Sequence, residues 1–277
     1  MQKVSKILAY INKKLYLCIE FETNKMNLLP LLHQKFLFST EEIVKETGNP
    51  RSVATMLWRY QRQGYISQVR RGLYCVNNMA TQQPEANKFQ IASAITQTSY
   101  VAYLAAMEYH GLAHQVYYDV VVGSKQTFRS FDFDNYHYIP HLSALTHGIE
   151  TPLADTHVRV TSVERTIVDC IDRIDLCGGI EELVNCLRSV QYLREEELEI
   201  ILQEYRKTAL YKKVGFLCEQ LQLPVSRDFI ADCQKYAKDS VLFLTPDGTS
   251  DTFHASWRLY APQNLLTINN QNADELV

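Results

Sequence analysis

The sequence has no uninterrupted apolar run that approaches the roughly 18 residues of a membrane span. Its most apolar N-terminal stretch, residues 7–19, is interrupted by Lys13 and Lys14 and ends at Glu20, so it does not form the apolar centre of an export signal. Both absences predict a cytoplasmic protein that has no membrane partner.

Cysteine occurs without a pattern. The seven cysteines are odd in number, irregularly spaced and include no Cys-x-x-Cys pair, which disfavours a disulfide framework and a zinc site. We expect most of them to be free and to act as small hydrophobic residues on the buried faces of helices and strands, in a reducing compartment.

Signatures of catalysis are scarce as well. There is no glycine-rich phosphate loop, no Gly-x-Ser-x-Gly elbow, and no lysine with an acidic residue two positions before it, as restriction-type nucleases have. The pairs His110/His114 and His137/His141 have i, i+4 spacing, but the zinc-protease motif needs a glutamate where Gly111 stands. These histidines are expected to be ordinary core or surface residues.

One segment resembles the metal-binding signature of nucleotidyltransferases. Residues 122–124 (Val-Gly-Ser) precede Asp132 and Asp134, and two such carboxylates could hold magnesium against triphosphate oxygens. However, the gap is short and no third carboxylate strand follows. We favour a hairpin whose polar face carries both aspartates, and we predict a protein that is not an enzyme, with no catalytic residue, metal site or cofactor.

Charge is distributed unevenly along the chain. Residues 1–80 contain 12 Lys+Arg and 5 Asp+Glu, a net charge of +7, whereas the remainder contains 16 and 26, a net charge of −10. No acidic residue lies between residues 47 and 84. A basic N-terminal part joined to an acidic remainder is typical of a modular DNA-binding protein, since only one part must meet phosphates.

The basic part has the pattern of a helix-turn-helix. After a short first helix over residues 27–35, Ser39 and Glu42 form a capping box that opens a second helix ending at Gly48. Asn49 and Pro50 then begin a third helix that runs to about Gln63. Two capped helices separated by only two residues are the expected core of a DNA-binding domain.

Two strands follow, over residues 65–69 and 73–76, with Arg70, Arg71 and Gly72 at the tip of the hairpin between them. Val53, Leu57 and Tyr60 should face inward on the preceding recognition helix. Its opposite face should meet bases near the N-terminal end and phosphates later along the helix. The predicted DNA-binding residues are Arg51, Ser52, Thr55, Arg59, Arg62, Arg70 and Arg71.

The fold class is predicted to be α+β, with an N-terminal winged helix-turn-helix followed by a larger mixed α/β region. The predicted order is an N-terminal extension (1–25), the winged domain (26–78), a linker (79–85), an α+β C-terminal domain (86–268) and a polar tail (269–277). Within the α+β domain, residues 161–164 resemble a second capping box, and Arg165 and Asp169 are spaced to pair along one helix.

The order of several short motifs resembles the AbiEi-type antitoxins of bacterial type IV toxin–antitoxin systems, over roughly residues 27–268. Arg70–Tyr74 carries the resemblance in the N-terminal part. The other motifs lie at Ser99–Ala102, Tyr109–Leu112, Val160–Asp169, Gly178–Gly179, Lys213–Leu217 and Trp257–Leu259. The chain departs from the pattern at residues 1–25, which are extra, and at Lys212 and Lys213, where the family often has arginines.

The resemblance implies a winged domain that represses its own operon at an inverted-repeat operator in double-stranded DNA. It also implies that the remainder counteracts a nucleotidyltransferase-like toxin without needing a stable complex with it. The alternative is a winged-helix transcriptional regulator whose C-terminal domain senses a ligand or dimerises.

Overall fold

A computed structural model describes residues 35–238, 240–245, 250–263 and 265. Its first compact unit comprises the described residues up to 68 together with 74–85, and its second comprises 69–73 together with the described residues from 86 onward. The mixture of helices and sheets confirms the predicted α+β class. None of the described helices is long and apolar enough to cross a membrane. The predicted N-terminal extension and polar tail, and all but residue 35 of the predicted first helix, lie outside the described residues.

From residue 35 onward, the described N-terminal part contains two helices and a three-stranded sheet with strand order β1-β3-β2. Its core is built from Phe38, Ile43 and Ile66 together with one face of the second helix. The elements are β1 (Leu37–Ser39), α1 (Thr40–Thr47), α2 (Pro50–Arg62), β2 (Ile66–Arg70) and β3 (Leu73–Val76).

Local sequence sets the two helices in place. The Ser39 side chain accepts a hydrogen bond from the Glu42 backbone N–H at 3.1 Å, and the Glu42 carboxylate accepts one from the Ser39 N–H at 2.7 Å. Gly48 ends α1 with φ +74°, a conformation that glycine adopts without strain. Asn49 then caps α2 by accepting from the Ser52 N–H at 3.2 Å, so the turn between the helices is as short as predicted.

The second unit is organised around a six-stranded mixed sheet with strand order β6-β7-β5-β4-β9-β8. Strands β5 and β7 are parallel, as are β4 and β9, and the other neighbours are antiparallel. The strands are β4 (Tyr100–Val101), β5 (Asp119–Ser124), β6 (Phe131–Phe133), β7 (Tyr136–Leu142), β8 (Ile149–Glu150) and β9 (Val160–Thr161).

Residues 131–142 form the hairpin of β6 and β7, and Asp134 lies in its turn rather than on the face of a strand. Asp134 and Asn135 have φ values of +50° and +67°, and Phe133 pairs with Tyr136 across this two-residue turn. Asp and Asn tolerate the left-handed region better than most residues, which is why they are common in such turns. The position of this turn was not predicted, because aromatic residues on both sides continue the strand pattern.

Helices pack beside this sheet and form most of the large core. The described α-helices are α3 (Lys88–Ala94), α4 (Tyr103–Tyr109), α5 (Val163–Asp172), α6 (Ile180–Arg188), α7 (Glu195–Tyr205), α8 (Thr208–Leu221) and α9 (Arg227–Gln234). A small sheet of β10 (Leu242–Phe243), β12 (Leu259–Ala261) and β11 (Thr252–His254) follows. A turn at residues 255–258 separates β11 from β12.

Helix α5 begins one residue later than the predicted capping box. Ser162 is the cap and accepts from the Arg165 backbone N–H at 3.2 Å. Thr161 lies in β9, where its hydroxyl meets that of Thr166 at 2.7 Å. Glu164 accepts hydrogen bonds from Arg194 instead of reaching back to the cap.

The cysteines differ from expectation at one point. Cys170 at the end of α5 and Cys177 in the following 3-10 turn form a disulfide, although the irregular spacing suggested free thiols. Spacing cannot reveal this pair because a helix end and a turn bring the two residues together. Cys186, Cys218 and Cys233 are free and buried, as predicted.

Candidate nucleic-acid interface

Helix α2 presents an apolar face inward and a basic face outward. Val53, Leu57 and Tyr60 are buried as predicted, and Met56 joins them. At about 100° per residue, the opposite side of the helix is centred on the row formed by residues 51, 55, 58 and 62. Ser52 and Arg59 lie at one edge of that row. The sequence periodicity therefore places the predicted residues of α2 on one continuous surface.

The N-terminal half of this surface is polar and accessible. Arg51, Ser52 and Thr55 are exposed, and the Thr55 hydroxyl donates to the Arg51 carbonyl at 3.1 Å. Arg51 has no carboxylate partner among the described ion pairs. Its guanidinium is thus available to a base edge or a phosphate, whose geometry it matches with two parallel hydrogen bonds.

The C-terminal half combines two arginines with an indole ring. The Arg62 guanidinium lies 5.0 Å from the centre of the Trp58 ring, and that of Arg59 lies 5.7 Å from the Tyr60 ring. Trp58 is 58% exposed and was not among the residues predicted from the sequence. Its position, three residues after Thr55 and four before Arg62, could have revealed it.

The two arginines of the hairpin after α2 have different surroundings. Arg71 is exposed at the tip beside Gly72, whose φ is +83°. Arg70 is half-buried within the second unit, where its guanidinium lies 5.4 Å from the Phe128 ring and 5.5 Å from the Phe131 ring. Arg71 is therefore the better placed of the two for a phosphate contact.

The catalytic pattern of the acidic part is not assembled into a site. Asp132 is exposed and pairs with His137 at 2.6 Å, whereas Asp134 lies in the β6–β7 turn. Gly123 lies against the ring of Tyr100, where an added Cβ would come within 2.3 Å of it. Across the part of the chain that the structure describes, no three histidine, cysteine or acidic side chains gather where they could hold a metal ion.

The histidine pairs have separate partners. His110 contacts the Thr161 carbonyl oxygen at 2.6 Å and His114 contacts the Ser189 hydroxyl at 3.2 Å. His141 meets the Tyr103 hydroxyl at 2.9 Å, and burial lowers the pKa of its imidazole. Each histidine thus has a local structural role.

The two lysines at which the sequence departs from the family pattern hold backbone near β10. Lys212 donates to the carbonyl of Ser240, and Lys213 donates to that of Leu244 at 2.8 Å. Burial lowers the pKa of the Lys213 ammonium. Both side chains therefore bind backbone carbonyls that flank β10 in the small sheet of the second unit.

Comparison with known proteins found a family that matches the N-terminal part and a solved structure with a similar fold. Residues 27–77 match the model of a family described as "Transcriptional regulator, AbiEi antitoxin". Among solved structures, that of the RV2827C protein from Mycobacterium tuberculosis is similar, with a TM-score of 0.61, 15% sequence identity, and coverage of 87% of this chain and 92% of that chain. No curated protein matches the chain.

At 15% identity, the likeness to the mycobacterial protein concerns the fold alone. The family match covers the two helices and the hairpin that carry the basic face. The resemblance expected from the sequence is thereby confirmed over residues 27–77, where the chain carries the sequence pattern of the AbiEi antitoxin transcriptional regulators.

Proposed function

We propose that this chain is a DNA-binding antitoxin of a type IV toxin–antitoxin system. Its winged domain represses the chain's own operon at an inverted repeat, and its second unit counteracts a nucleotidyltransferase-like toxin without a stable complex. In this proposal the chain acts by binding rather than by catalysis.

The basic outward face of α2 carries the proposal for DNA. Arg51, Ser52, Thr55, Arg59 and Arg62 share that face, and the segment around them contains no carboxylate from residue 47 to 84. Such a surface attracts phosphates and presents the donors that read guanine in the major groove. The family match over the same residues supports a regulatory role for it.

The first experiment measures binding to the duplex upstream of the gene by gel shift. We expect Arg51→Ala to reduce the discrimination between that duplex and random DNA by about 1–3 kcal/mol, because a bidentate contact to a base is lost. Arg71→Ala should weaken binding to both duplexes similarly. Unchanged binding by the triple variant Arg51→Ala, Arg59→Ala, Arg71→Ala would remove α2 and the hairpin from the interface.

The second experiment tests whether the chain counteracts a toxin encoded by the neighbouring gene. The neighbouring reading frame is co-expressed with the wild-type chain and with the triple variant, and growth and operon expression are both measured. We expect the variant to lose repression and to retain protection, since the second unit is unaltered from residue 86 onward. A neighbouring gene with no nucleotidyltransferase sequence, together with no protection from a co-expressed toxin of that class, would favour the regulator with a ligand-sensing or dimerising domain.

A further inference from the structure

We propose that Trp58 reads thymine in the major groove, by apolar contact between its indole ring and the 5-methyl groups of the bases. This inference rests on the proposed DNA binding and names a sequence feature of the DNA that the chain prefers. It adds a specificity-determining residue to the arginines and hydroxyls of α2.

The position of Trp58 is the first argument. At about 100° per residue, positions 51, 55, 58 and 62 fall within an arc of about 60° on α2, opposite the buried positions 53 and 60. Trp58 therefore lies near the middle of the outward face. A helix that enters the groove with this face forward brings the indole ring towards the bases rather than towards the flanking backbone.

The exposure of the ring is the second argument. Phe38 and Tyr60, also in the first unit, are 1% and 4% exposed, whereas Trp58 is 58% exposed. A partner that covers a large exposed apolar surface with apolar atoms removes that surface from water, which lowers the free energy of the complex. In the DNA major groove the thymine methyl is the apolar group at the base edges.

The charged neighbours of Trp58 favour an anionic partner such as DNA over a neutral or basic protein surface. Arg62 lies 5.0 Å from the indole ring, and exposed Arg51 is on the same row. Ala54 and Thr55, one helical turn before Trp58, are exposed, and the Thr55 hydroxyl already donates to the helix backbone. An apolar centre between arginines matches a thymine between guanines or phosphates, since a positively charged rim repels a basic protein surface and finds its counter-charge on the duplex.

The test replaces thymine by deoxyuridine, which removes the methyl group and keeps every hydrogen-bonding atom. A preferred duplex is first selected from a random pool with the full-length chain, and each thymine is then substituted in turn. We expect wild-type affinity to fall about fourfold at one or two thymines, the equivalent of one methyl group withdrawn from an apolar contact. Trp58→Ala should bind thymine and deoxyuridine duplexes equally, and Trp58→Phe should retain part of the difference.

Tyr192→Ala is the matched control, because Tyr192 is 72% exposed on the second unit and should leave the thymine preference intact. Equal wild-type affinity for all thymine and deoxyuridine duplexes, or an undiminished preference in Trp58→Ala, would overturn the role of Trp58 while leaving DNA binding in place. A Trp58→Ala chain whose oligomeric state changes with its thymine preference intact would assign the ring to a protein contact. Failure to select any preferred duplex would overturn the proposed function and this inference together.

Discussion

Arg165 is fully surrounded by protein, which is unusual for an arginine and explains its contacts. Its Nε lies 2.5 Å from the Asp169 carboxylate, as the i, i+4 spacing predicts, and its Nη1 donates to the His147 carbonyl at 2.9 Å. Tyr205 donates a hydrogen bond to the same carboxylate. A buried charge persists only when it is paired and hydrogen-bonded in this way.

Removing one member of the Arg165–Asp169 pair should therefore lower the free energy of unfolding much more than removing a surface charge does. We expect Arg165→Met to lower the free energy of unfolding by about 3–5 kcal/mol, because Asp169 is left buried without its counter-charge. The double variant Arg165→Met, Asp169→Asn should recover part of the loss. Urea unfolding of the three chains measures both effects, and an equal loss in the single and double variants would show that the charges are not coupled.

Glu164, on the same helix, makes a contribution to stability that depends on pH. Burial acts to raise the pKa of its carboxyl, but hydrogen bonds from Arg194 outweigh burial and hold the pKa below the ordinary 4.5. A carboxyl whose folded-state pKa is depressed stabilises the fold above its unfolded pKa. The contribution is lost as the pH falls through the folded-state pKa.

The sign of this effect can be tested with Arg194→Met. The variant leaves Glu164 buried without its donor, so its destabilisation should be larger at pH 7 than near pH 4, because acid favours the neutral form of the buried, unpaired carboxyl. Glu150→Gln is the control, since Glu150 is the exposed second partner of Arg194 and its loss leaves the bond to Glu164 in place. Urea unfolding at both pH values would contradict this account if the Arg194→Met loss were the same at each.

Two motifs that are far apart in the sequence meet between α8 and the small sheet. A Cβ added to Gly215 would come within 2.4 Å of the Trp257 ring and 2.5 Å of the Cys233 side chain. Trp257 is fully buried, and its indole N–H donates to Glu219 at 2.5 Å, one turn further along α8. Absence of a side chain at residue 215 is thus what lets the helix lie against the ring.

Gly215→Ala should therefore destabilise the fold, whereas the same substitution within a helix usually stabilises it. Alanine in place of glycine within a helix ordinarily stabilises it by about 1 kcal/mol, but here the added methyl overpacks the contact and should destabilise the fold by about 1–3 kcal/mol. Gly215→Ala combined with Trp257→Phe provides the check, because the smaller ring relieves the clash with residue 257 and leaves only that with Cys233, so part of the loss should be recovered. Thermal unfolding in which Gly215→Ala raised the midpoint would contradict this packing.

Elements fixed by short-range chemistry were predictable from the sequence, and those fixed by distant contacts were not. The Ser39 cap, the Asn49 cap and the inward row of α2 depend on residues within one or two helical turns. By contrast, Glu164 was assigned to its own helix cap, although it bonds to Arg194, 30 residues away. Trp58 falls between these cases, since periodicity places it outward but residue type alone suggests the core.

The whole molecule separates its charges between two parts. The first 80 residues carry +7 and the remainder −10, and on α2 basic residues share the outward face. For a DNA-binding chain this segregation means that only the basic part should release counterions from the duplex. The acidic remainder contributes a field that disfavours non-specific contact with nucleic acid.

This segregation makes a quantitative prediction about salt. Each phosphate contact contributes about 0.9 to the slope of log affinity against log salt concentration, so Arg62→Gln should make the slope shallower by about that amount. Arg227→Gln is the matched control, because Arg227 is exposed at the start of α9 and removes the same charge from the acidic part. Gel shifts over a range of salt concentrations measure both slopes. An equal change in the two variants would mean that net charge, rather than the basic face of α2, determines the electrostatic affinity.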